Sequence, residues 1–268
     1  TLRRTTPVAT VRAARSLTGL GNENMAIPYL SGRVLSPGPI RADHPVIRPG
    51  AKSTSASTGS FDYPGSASPA MGFMMSFPAG RENSVRLSYF RAHGSGNAAA
   101  STPLNLFSVG YNQGDALVAN YKIQNVKLSW DFLSYTYPSK LRIKTLWEAQ
   151  LASINSEVDA PAKAAASTDT TTFSHGSKAL IYPTFGLGAE RAVSNRFRWE
   201  TSASGFAIPK HGTIWDAEAS GVLRFGKPEL LGGYKVFSVK TSTRADAYFK
   251  QMLQGPYAAV RWYIARPQ

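Results

Sequence analysis

From residue 71 onward, apolar and polar residues alternate with a period of two. That period belongs to strands with one apolar and one polar face. Val126, Leu128, Trp130 and Phe132 oppose Lys127, Ser129 and Asp131. Ile143, Thr145, Trp147 and Ala149 oppose Arg142, Lys144, Glu148 and Gln150. Phe185, Leu187 and Ala189 oppose Thr184, Gly188 and Glu190, and Trp199, Thr201 and Ala203 oppose Arg198, Glu200 and Ser202. Trp215, Ala217, Leu223 and Phe225 oppose Asp216, Glu218 and Arg224, and Val260 and Trp262 oppose Ala259 and Arg261. Gly233 to Lys240 is ambiguous in phase. Helical periodicity is confined to the short basic stretch Val8 to Leu17.

Nine runs carry the alternation: 71–78, 84–91, 116–133, 140–154, 178–191, 196–208, 213–225, 233–242 and 256–265. The runs 141–152 and 213–225 exceed the average strand of about 5–6 residues and match the ~9–11 needed to cross a bilayer at a tilt. Connections alternate in length. Pro78–Asn83, Ser134–Lys140, Ala192–Asn195 and Gly226–Gly232 are short, whereas Ala92–Gly114, Asn155–Gly176 and Thr243–Gln254 are longer. Pro209–Gly212 is a short link where a long one is due. Parity then requires a tenth strand, placed at about 25–36 and followed by a long connection over 37–70. Eight strands, with 1–70 as a separate segment, and twelve, with strands drawn from Leu104–Tyr111, are the alternatives.

The Gly-rich run Tyr182–Glu190, the run Trp215–Phe225 and the closing run Gly255–Ile264 resemble small outer-membrane β-barrel proteins of Gram-negative bacteria, of the porin-like, non-enzymatic type. The likeness spans residues 71–266 and brings no catalytic or ligand motif. Such barrels end on an aromatic residue, whereas this chain ends Ala265-Arg266-Pro267-Gln268. The resemblance implies an all-β fold: a closed antiparallel up-and-down transmembrane barrel over 25–268, with 1–24 a basic periplasmic segment and both termini in the periplasm.

In a barrel of about ten strands the polar faces fill a narrow lumen. The expected lumen network is Lys127, Asp131, Arg142, Lys144, Glu148, Glu190, Arg198, Glu200, Asp216, Glu218, Arg224 and Arg261. The expected lipid-facing or girdle aromatics are Trp130, Phe132, Trp147, Phe185, Trp199, Trp215, Phe225 and Trp262. The function that follows is structural, docking or narrow-pore, without enzymatic activity or cofactor. Two other readings compete. One is a soluble secreted β-sandwich binding an acidic glycan, in which the same aromatics pack a core. The other is an outer-membrane hydrolase with a rim site at His211 and Asp216.

Composition refines this picture. The 268 residues contain no cysteine, which excludes disulfides and thiolate metal sites. No segment approaches the ~20 apolar residues of a spanning helix. The chain begins Thr1-Leu2-Arg3-Arg4 without methionine, as in a mature or trimmed product. Formal charge is +14, and residues 1–52 hold eight basic groups against Glu23 and Asp43. Elsewhere the signs mix, unlike the basic stripe of a nucleic-acid reader. Expected partners are outer-membrane lipid and lipopolysaccharide, with envelope proteins reached through the basic N-terminal segment. His44, His93, His175 and His211 are expected in the long connections, with no metal-binding spacing.

Overall fold

The protein is described from a computed structural model covering residues 29–35, 40–49, 61–62, 65–80, 82–107, 109–161, 173–208, 212–226, 228–242 and 247–263. For residues 29–67, 247 and 263 the backbone alone is described. The stretch Val8–Leu17 and the end 264–268 lie outside the described residues.

Among the described residues fifteen strands follow one another: β1 (Tyr29–Leu35), β2 (Ile40–Pro49), β3 (Phe61–Asp62), β4 (Gly65–Ala67), β5 (Ala70–Pro78), β6 (Ser84–Ala99), β7 (Leu104–Leu106) and β8 (Val109–Tyr111). Then come β9 (Ala116–Thr136), β10 (Leu141–Asp159), β11 (Phe173–Ala192), β12 (Phe197–Ile208), β13 (Gly212–Arg224), β14 (Pro228–Thr241) and β15 (Ala247–Tyr263). All but β7 and β8 join one antiparallel up-and-down sheet. From β9 to β15 each strand pairs with the next in sequence. β6 pairs with both β5 and β9, and β1 pairs with β5 on one side and β15 on the other. β2 runs along the first half of β15, and the short β4 links β2 to β6.

The sheet is strongly curled. Phe90 of β6 meets Phe237 of β14 edge-on at 5.0 Å, and Lys127 of β9 reaches Asp216 of β13 at 3.0 Å, although neither pair lies on neighbouring strands. Small residues permit this curvature. At Gly186 a Cβ would stand 2.3 Å from the Ala203 carbonyl oxygen, so only glycine lets β11 and β12 approach so closely.

The concave face is buried and the convex face exposed, with alternation along most of β9, β10 and β11. The links 36–39, 209–211 and 242–246 aside, the short connections gather at one end, the turn end. They are tight: Tyr137 N–H donates to the Leu141 carbonyl, Lys140 N–H to the Tyr137 carbonyl, and Gly80 and Gly226 take the positive φ these reversals need. β1 starts and β15 finishes at this end. The opposite end, the mouth, carries the long connections.

Several strands reach further toward the mouth than alternation indicated. β6 continues to Ala99, β10 to Asp159, and β11 begins at Phe173. In consequence His93 and His175 stand exposed on strands rather than in loops. β1 lies within the 25–36 stretch. Leu104–Tyr111 forms the separate hairpin β7–β8 and adds no strand to the main sheet.

Candidate functional site: the filled concave face

Toward the turn end, the concave face is built from charge. Asp131 takes Arg86, with Nε at 2.6 Å and a second guanidinium nitrogen at 2.9 Å, and also accepts from the Ser129 hydroxyl. Lys127 lies 3.0 Å from Asp216 and 3.4 Å from Glu148, and Lys235 holds Asp216 from the other side. Glu148 further accepts from the Thr184 hydroxyl at 3.0 Å and from the Gln150 amide at 3.2 Å. Glu190 receives both Arg142 and Lys144. Arg198 bridges Glu200 and Glu229, and Arg261 bridges the same two carboxylates. Glu218 lies 3.5 Å from Lys235. Arg224 is half-buried on the Asp216 face of β13, in register with Glu229.

Seven carboxylates thus meet seven cations through these pairs. Burying an unpaired charge is prohibitive, whereas a paired and hydrogen-bonded cluster is tolerated. Three members were not anticipated. Arg86 lies in the alternating run 84–91, Glu229 in a stretch that reads as a turn, and Lys235 where the phase is ambiguous. The pairing demand of the surplus cations and acids was the signal available for them.

Toward the mouth the same face turns apolar. Leu117, Ile123, Ile154, Ile214, Val239 and Leu253 are buried there. Into this zone folds the β7–β8 hairpin, whose Leu104, Leu106 and Tyr111 are nearly inaccessible. Phe107, at the hairpin turn with φ 49°, stacks on Phe249 at 5.8 Å and lies against Gly176, leaving no room there for a Cβ. The Tyr111 hydroxyl donates to Ser174 Oγ at 2.9 Å and lies 3.2 Å from the Val158 carbonyl oxygen. Burial pushes this phenol above its ordinary value. Between the two zones a small cavity of about 30 Å³ remains, bounded by Phe90, Asn125, Lys127, Asp216 and Lys235. That is room for about one water molecule.

The convex face carries the aromatics. Trp130, Phe132, Trp147, Phe185, Trp215, Phe225 and Trp262 are exposed, and Trp199 is half-buried on the same face of β12. Trp147 is 59 % exposed while Gln150, three residues along, is 0 % exposed. Trp130 pairs with Trp147, and Trp147 with Phe185, so the rings form a continuous row across three strands. Asp216 is buried in the charge network, and no structural detail is described for His211. Among the described residues no group of three or more His, Asp or Glu side chains is arranged to hold a metal ion. No helix among them is long and apolar enough to cross a membrane.

The architecture defined so far is an all-β antiparallel sheet, strongly curled, with charge inside and aromatics outside. No protein-family profile matches the sequence, and no curated protein matches it. Among solved structures it is similar to the crystal structure of a Pseudomonas aeruginosa FadL homologue, at 7% identity and a TM-score of 0.29, over 90% of this chain and 91% of that one.

Proposed function

We propose that the chain is an outer-membrane β-barrel of ten strands with a filled lumen, serving a structural or docking role or forming at most a narrow pore. In this reading the sheet closes through β1, whose pairing with both β5 and β15 supports it. The cylinder then runs β1, β5, β6 and β9 to β15, an even number in which β1 begins and β15 finishes on the short-turn side. That side is periplasmic, and the mouth faces outward. The observation that carries the reading is the inverted partition: exposed Trp130, Trp147, Leu187 and Trp215 outside, buried Asp131, Glu148, Asp216 and Arg261 inside. Water offers no reason for that arrangement, and hydrocarbon does.

The charge network fills the turn end of the lumen, and the β7–β8 hairpin fills the mouth. Lipid covers the belt, and lipopolysaccharide meets the mouth-end surface.

The test is purification followed by gel migration with and without boiling, then planar-bilayer recording. Detergent-dependent folding, heat-modifiable migration and an absence of large ohmic steps are expected. A monodisperse monomer without detergent sinks the barrel. Large steady steps sink the filled lumen and leave the barrel standing.

A further inference from the structure

Among the described residues at the turn end, three cations stand outside the internal charge network. Lys140, Arg191 and Arg196 are exposed and form no ion pair among the described residues. The only carboxylate in the described short connections is Glu82. The mouth end differs: there Asp115, Glu157 and Asp159 mix with Lys122 and Lys178.

The three are held by rigid local structure. Lys140 occupies a left-handed turn position, φ 63°, closed by its own N–H to the Tyr137 carbonyl. Arg196 lies in a turn where the Ser194 hydroxyl accepts from the Arg196 and Phe197 N–H groups. Arg191 is registered between Leu141 and Trp199. Exposed aromatics share this level: Tyr135 and Tyr137 pack edge-on at 4.5 Å, and Phe225 is exposed. Cations interleaved with aromatic rings at the end of an apolar belt mark the level of lipid headgroups.

We infer that Lys140, Arg191 and Arg196 form a collar that binds the phosphates of anionic phospholipid in the leaflet bordering the turn end. The inference rests on the barrel reading and adds which lipid the turn end selects. Arginine forks match phosphate oxygens two at a time, while lysine supplies a point charge. The internal network is already balanced, so the collar's counter-charge comes from outside the chain. A zwitterionic headgroup brings its own cation and satisfies the collar less well.

The full chain, folded in non-ionic maltoside micelles, is titrated with short-chain phosphatidylglycerol and read by native mass spectrometry. Phosphatidylcholine and sodium phosphate form the comparison arms. Phosphatidylglycerol adducts are expected at concentrations at least about tenfold lower than phosphatidylcholine adducts. Each surface cation contributes about fivefold, so Lys140→Gln, Arg191→Gln and Arg196→Gln together weaken phosphatidylglycerol binding on the order of a hundredfold. The charge-preserving set Lys140→Arg, Arg191→Lys and Arg196→Lys keeps most of it, which separates lost charge from lost fold. Equal affinity for the two lipids, or unchanged affinity in the glutamine set, overturns the collar. Competition by free phosphate at matched concentration overturns the lipid as the source. A chain that is soluble and monodisperse before any lipid or detergent is added overturns the barrel and the collar with it.

Discussion

Leu187 and Thr184 lie three residues apart on β11, yet Leu187 is exposed and Thr184 is fully buried beside Glu148. This inversion makes single substitutions diagnostic. Leu187→Arg is expected to destabilise the folded chain by about 2–4 kcal/mol if the residue faces hydrocarbon, against within ~0.5 kcal/mol on a watery surface. Urea unfolding midpoints in vesicles measure the difference. On the other face, Glu229 is wholly buried between Arg198 and Arg261. Glu229→Gln leaves two guanidiniums under-compensated and is expected to cost about 3–5 kcal/mol, read as a lower midpoint or loss of folded yield. The alternation revealed which residues share a face, because every second side chain must point the same way. It did not reveal Glu229, because Gly226–Gly232 reads as a turn and β14 in fact begins at Pro228. Lys235 was hidden by Gly232 and Gly233, which blur the phase just before it.

Among the elements, the β7–β8 hairpin holds its place by apolar contact and by the hydroxyl relay from Tyr111 to Ser174. Leu104, Leu106, Phe107 and Tyr111 pack among side chains from β9, β10, β11 and β15. Replacing Leu104 and Leu106 together by Asp places two charges in an apolar zone and expels the hairpin. The expected result is faster cleavage within 100–115 by a non-specific protease, with the heat-modifiable band retained. Unchanged protection there means that the hairpin does not depend on this packing. Tyr111→Phe is the milder change, expected to cost about 1 kcal/mol through the lost hydrogen bond and to raise cleavage slightly. Little of this was legible beforehand. Leu104–Tyr111 was recognised as able to form strands, but its folding back into the mouth depends on contacts with residues far off in sequence. Such contacts leave no local period. β6 and β11 run longer than their alternation for a related reason: near the mouth Ala, Ser and Gly replace most of the large alternating residues there.

For the whole molecule, the count of long alternating runs and the parity of their connections call for a further strand at about 25–36, in a region whose own pattern is weak, and β1 spans Tyr29–Leu35. Its pairing with both β5 and β15 gives the proposed cylinder its seam. A cylinder filled in this way is expected to pass little current. Removing the hairpin alone should leave conductance nearly unchanged, because the charged zone still spans the bore; a large increase would place the barrier in the hairpin instead. The bridge from Lys127 to Asp216 bears on how such a molecule comes into being. The two residues sit on strands four places apart and meet only once the sheet has curled. A half-assembled ribbon would offer each naked ion to oil, so intermediate stages are penalised and assembly is pushed toward a single late, concerted step. Slow maturation, with the ionic partners kept wet until the last moment, is the cost of a centre made from salt rather than grease.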